Sequence, residues 1–108
     1  MADDTRVIDT IAAMTLDSVE RSGLDADELL LVRIAALAAV DANPVSYLAH
    51  VGPAVEAGVT IEQVQDVLIA VAPIIGTARV VSASLAITEA LGVAIAVVEA
   101  ELDAELDA

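Results

Sequence analysis

The chain has 108 residues, 58% of them hydrophobic and 1% aromatic, and its net charge is −14, from 18 acidic residues against four arginines. That length sets one domain, residues 1–108, and the charge argues against nucleic acid and anionic membrane surfaces as partners, because both need positive groups to displace counterions. Cysteine is absent and histidine occurs once, which excludes disulfides, thiolate metal sites, thiol redox chemistry and any multi-histidine metal centre within one chain.

The apolar mass is therefore aliphatic: Ala, Val, Leu and Ile. A domain this small leaves much of its surface exposed, and soluble monomers rarely expose large contiguous apolar patches. Subunit association, with helices shared in a larger core, is the expected resolution. A membrane-spanning chain is the competing one. No run of the required length, about 18 residues, is free of charge, since Glu56, Glu62, Asp66, Arg79 and Glu89 interrupt the apolar stretches. Asp3 and Asp4 stand where a signal peptide would carry basic residues. The expectation is a soluble, cytoplasmic protein without a membrane partner.

In chain order, Val7, Ile8, Ile11, Met14 and Val19 form a helical stripe over residues 2–21, which Ser22-Gly23 ends. Asp25 caps a second helix, with Glu28 three residues on as the reciprocal partner. Leu29 to Val40 is apolar nearly all round, as in a buried helix. Arg33 interrupts it and needs an acceptor. A structural ion pair with an acid from another helix is favoured over a ligand-binding role.

Asn43 can cap the third helix and Pro44 suits its first position. This helix, 43–57, carries Ser46, Tyr47 and His50 on neighbouring faces, with the chain's one aromatic ring and one imidazole. Pro53 lies inside it and should bend it or free a carbonyl near residue 49, close to His50. Gly58 falls where a left-handed residue is wanted. Thr60 and Gln63 make a capping box for the fourth helix, whose stripe is Val64, Val67, Leu68 and Val71. Pro73 to Gly76 breaks or kinks the path. A fifth helix is expected from Thr77 to Leu91, ended by Gly92. A last one from Val93 fades into an acidic tail, about 99–108, that should fray.

From Gly23 to Gly92 the order of features resembles the carboxymuconolactone decarboxylase family, which includes the alkylhydroperoxidase D-like proteins. The residues that carry the resemblance are Leu24-Asp25 before an Ala/Leu helix and Ser46-Tyr47-Leu48-Ala49-His50. Ala54-Val55-Glu56-Ala57-Gly58-Val59-Thr60, Glu62 to Leu68 and Gly76-Thr77-Ala78-Arg79 continue it. The resemblance implies an all-α, alkylhydroperoxidase D-like bundle of about five to six helices, intertwined as a homo-oligomer, commonly a trimer or hexamer. It also marks departures. The peroxidase branch carries Cys-x-x-Cys ahead of its histidine; here Asn43 and Ser46 occupy those slots, and neither can cycle through a disulfide. Thiol peroxidase activity is ruled out. An acidic residue expected on the second helix is replaced by the Leu30-Leu31 neighbourhood.

His50 matches the family histidine, so the resemblance implies a proton-transfer role; a core histidine bonded to a carbonyl or to Ser46 is the plain alternative. Arg79, at a helix start, suits carboxylate recognition or else a salt bridge to Glu56, Glu89 or a neighbouring subunit. Two functions follow. One is a cofactor-free, metal-free lyase or isomerase on a small carboxylated lactone or ketone, with His50 moving the proton and Arg33 or Arg79 holding the carboxylate beside Ser46 and Tyr47. The other is a non-catalytic oligomer that binds a small apolar ligand or serves in assembly.

Overall fold

The computed structural model describes residues 2–107, with side chains for residues 5–106; Met1 and Ala108, the ends of the expected domain and tail, lie outside it. Among the described residues there are five α-helices and no strand: α1 Ala2–Arg21, α2 Ala26–Ala39, α3 Pro44–Glu56, α4 Ile61–Ile75 and α5 Thr77–Asp107.

The helix ends follow their local chemistry. The backbone N–H of Asp25 donates to Glu28 Oε1 at 3.2 Å. Asn43 Oδ1 accepts from the Ser46 N–H at 3.4 Å, with Pro44 at the first helical position. The Thr60–Gln63 box is closed in both directions, at 3.1 and 2.9 Å. Such caps satisfy backbone groups that have no partner within the helix.

Helices α2 and α3 both end in the paired backbone bonds of a Schellman motif. In α3 these are Gly58 N–H to Val55 O (3.1 Å) and Val59 N–H to Ala54 O (2.9 Å). In α2 they are Asp41 N–H to Ala38 O (3.2 Å) and Ala42 N–H to Leu37 O (3.0 Å). The left-handed residue is Gly58 (φ 79) in the first and Asp41 (φ 55) in the second. Aspartate is among the few side chains that tolerate this conformation, and its carboxylate accepts the Ser82 hydroxyl of α5.

One expectation is corrected. Gly92 does not end a helix: α5 runs through it for 31 residues. A lone interior glycine costs about 1 kcal/mol relative to alanine, and the good helix formers on both sides, with no proline or left-handed residue nearby, outweigh it. The break expected over Pro73 to Gly76 falls at the end of that segment: α4 continues through Pro73 to Ile75, and the chain turns at Gly76, whose φ of 89 and ψ of 163 suit glycine alone. α5 then begins at the next residue.

The main packing pairs are α3 on α5 and α2 on α4, with α2 also against α3 and α5. The central cluster is Ala38, Tyr47, Leu68, Ala83, Ala86 and Ala90. Four alanines let the helices approach closely, and the ring of Tyr47 fills the space between them. α1 joins none of the main packing pairs; it is tied to α2 through Arg33. Val7, Ile8, Ile11 and Met14 on α1 are all more than half exposed, as are Ile95, Val98 and Leu102 on the far half of α5. At 1.5 Å per residue α5 is about 46 Å long, so it sets the longest dimension of the chain, 50 Å.

α5 is also, by length and composition, long and apolar enough to cross a membrane. Glu89 is the charge that separates this finding from the stricter requirement of a charge-free run.

Candidate functional site

The site is built on α3. Tyr47 and His50 are three residues apart, so they share one face. Tyr47 is 4% exposed and His50 half-buried. His50 Nδ1 lies 2.8 Å from the carbonyl oxygen of Ser46, one turn earlier. A carbonyl oxygen can only accept, and it has two lone pairs, so Nδ1 carries the hydrogen. In the neutral ring Nε2 is then a lone-pair acceptor, and no protein group among the described residues donates to it.

Beside this ring is a cavity of about 230 Å³, open to solvent on one side, where the second half of α3 meets the start of α4 and the middle of α5. His50 and Tyr47 share its wall with Val51, Val64, Ile87 and Leu91. Thr60 also borders it, but its hydroxyl oxygen already accepts the Gln63 N–H. His50 thus stands as a polar group in an aliphatic wall. The Tyr47 hydroxyl is fully covered and has no hydrogen-bond partner among the described residues. Burial pushes its pKa above the ordinary tyrosine value, with the Asp41 carboxylate adding to the effect.

The remaining predicted site residues fall elsewhere. Arg33 Nη2 donates to the Thr15 carbonyl and the Ser18 hydroxyl of α1, both at 3.2 Å. Its acceptors are therefore a carbonyl and a hydroxyl, not the carboxylate of an ion pair; being only half-buried, the guanidinium needs no full counter-charge. Arg79 is exposed and donates to the carbonyl of Ala39, the last residue of α2. There it meets both an unpaired carbonyl and the negative end of the helix dipole, in place of Glu56, Glu89 or an anion. Ser46 contributes backbone: its N–H bonds to the Asn43 side chain and its carbonyl holds His50. Neither arginine nor Ser46 lines the cavity.

Sequence reasoning missed the aliphatic wall, since Val51, Val64, Ile87 and Leu91 look like ordinary core positions in a helical stripe. It also missed Asp41, whose signal was an Asx residue just past an apolar helix, where a left-handed C-terminal residue is needed.

Comparison with curated proteins and with solved structures gave no match. A family model does match, over residues 6–90: that of the carboxymuconolactone decarboxylase family. This span covers most of the chain and holds His50 and every cavity-lining residue but Leu91. The chain belongs to the carboxymuconolactone decarboxylase family.

Proposed function

We propose that this protein binds a small molecule in the cavity beside His50, with His50 Nε2 as the proton-accepting group. The observation that carries the reading is the 2.8 Å bond from His50 Nδ1 to the Ser46 carbonyl. It fixes the tautomer and the ring orientation, and it leaves the basic nitrogen on a ring that borders the cavity. A general base needs that arrangement: an oriented ring and an available lone pair within reach of a bound molecule. Where the bound molecule carries an acidic C–H or O–H next to an electron-withdrawing group, His50 takes the proton and returns it, as an isomerase or lyase requires. Where it does not, the same site acts as a receptor. Family membership supports the first alternative.

Turnover of a panel of lactones and ketones by the wild type and His50→Ala tests this. Loss of turnover in the variant, with the fold retained, is the expected result. Equal turnover in both contradicts the role of His50.

The working form is proposed to be a homo-oligomer. Among the described residues, twenty-two large hydrophobic side chains are exposed, against nine buried core residues, three of them leucines. That ratio suits a subunit whose neighbours complete its core.

A further inference from the structure

Resting on the homo-oligomer as the working form, we infer that α1 of one copy lays its apolar stripe on the far half of α5 of the next copy, at the edge of the His50 cavity. Both helices lack a cover in the single chain. Every α1 residue from Thr5 to Arg21 is exposed, and a helix of that length gains little stability in water without a partner for its apolar side. On α5, Ile87 and Leu91 line the cavity. Ile95, Val98 and Leu102 follow at intervals of four, three and four residues, which keeps all five on one face. The stripe thus begins in the cavity wall and runs out along the exposed half of the helix. A neighbouring α1 seated on it completes the border of the cavity.

Charge selects the occupant. Glu99, Glu101, Asp103 and Glu105 flank the outer stripe, and no basic residue follows Arg79 in the chain. Two copies of this segment packed on each other would set acids against acids with no cation between them. Arg33 and Arg79 are engaged within the body by Thr15, Ser18 and Ala39. The other two arginines, Arg6 and Arg21, stand at the two ends of the α1 stripe. Arg21 pairs with Asp17 on the surface, a contact weak enough to be shared with an acid of α5. α1 also carries Asp9, Asp17 and Glu20, so the attraction is local, at its ends. Lengths agree as well: Val7 to Val19 spans about 18 Å and Leu91 to Leu102 about 17 Å at 1.5 Å per residue. Because the two faces differ, the contact is head-to-tail, the kind that closes into rings.

The chain has no cysteine, so single-cysteine variants of the full-length protein give the test. Ile11→Cys and Val98→Cys lie near the middle of their stripes and meet whether the helices run parallel or antiparallel. At 57% and 53% exposed, both positions tolerate the change. The two variants are co-expressed, and each is also expressed alone; all three samples are treated with a short bismaleimide. The expected result is a cross-linked dimer in the mixed sample at several times the yield of either variant alone. An equal yield from Val98→Cys alone, or from Ile11→Cys alone, overturns the inference, since α5 would then meet α5, or α1 meet α1. So does an oligomer by light scattering that cross-links in no sample. A wild type that is monomeric by light scattering overturns it together with the reading on which it rests. The cavity edge has its own readout: a nitroxide on Ile11→Cys chains, mixed with methyl-labelled wild-type chains, should broaden the Leu91 and Ile95 methyl signals. Cross-linking with both signals left sharp would overturn the placement of α1 beside the cavity.

Discussion

His50 Nδ1 donates to the carbonyl of Ser46 at 2.8 Å, and this single contact decides what the ring can do. The carbonyl belongs to the same helix, one turn back, so α3 orients its own imidazole. No second element is needed to choose the tautomer. Proline at position 44 and the Asn43 cap hold the first turn that presents the Ser46 carbonyl.

Tyr47 carries the clearest stability prediction. Its hydroxyl is buried without a partner among the described residues, which costs about 1–3 kcal/mol for a typical group. Tyr47→Phe should therefore raise stability by about 1 kcal/mol in denaturant titration, whereas Tyr47→Ala should lower it by about 3–5 kcal/mol through the cavity it leaves. A loss of stability in Tyr47→Phe would mean that the hydroxyl has a partner in solution.

The same residue predicts an alkaline limit. Its folded pKa is raised above the ordinary value of 10.0. The folded state thus holds the phenolic proton longer than the unfolded state does. Stability from this group is fully present below the unfolded pKa and declines as pH rises above it, toward and through the folded pKa. Because the chain has one tyrosine, tyrosinate absorbance follows this residue alone. The folded protein should titrate at higher pH than the denaturant-unfolded chain; coincident curves would count against burial of the hydroxyl.

Two glycines should respond in opposite directions. Gly92 sits inside α5 with open space where a side-chain methyl would project, so Gly92→Ala should stabilise by about 0.5–1 kcal/mol. Gly76 also has open space, but its φ of 89 disfavours any side chain. Gly76→Ala should destabilise by about 1–3 kcal/mol. Thermal melts of both variants check the pair. Destabilisation by Gly92→Ala would place a helix break there after all.

How much of this was legible in the sequence depends on where the signal lived. The caps at Asp25, Asn43 and Thr60 and the left-handed Gly58 are local chemistry, and each sits where the residue types require. Gly92 misled because an interior glycine and a terminal one look alike in one dimension; only the neighbouring turns decide. The pairing of His50 with Ser46 was readable from the four-residue spacing. The targets of Arg33 and Arg79 were not. Thr15, Ser18 and Ala39 become acceptors through tertiary packing, and two of the three contacts are to backbone carbonyls, which no side-chain pattern advertises.

Arg79 is one tie between α5 and the end of α2, beside the bond from Ser82 to Asp41. Its removal in Arg79→Ala leaves the Ala39 carbonyl to water and deletes a cation from a helix C-terminus, worth about 0.3–1 kcal/mol at an exposed site. Arg79→Ala should lower stability by that amount and leave ligand binding in the His50 cavity unchanged. Loss of binding without loss of fold would put Arg79 in the site.

The exposed faces of α1 and α5 test association. Ile11 and Leu102 are 57% and 52% exposed on the lone chain. Ile11→Asp and Leu102→Asp should therefore be nearly neutral for a monomer. If neighbours cover these faces, each substitution should reduce the particle mass measured by light scattering. Wild-type protein that is already monomeric at micromolar concentration would contradict the proposed assembly.

The most direct measurement is of the His50 ring itself, by two-bond proton–nitrogen correlation NMR at a pH where the imidazole is neutral. With one histidine in the chain, there is no assignment ambiguity. The expected spectrum has the hydrogen on Nδ1 and a bare Nε2 whose shift moves when a lactone or ketone from the panel is added. A hydrogen on Nε2, or an Nε2 indifferent to every cavity ligand, would contradict the account.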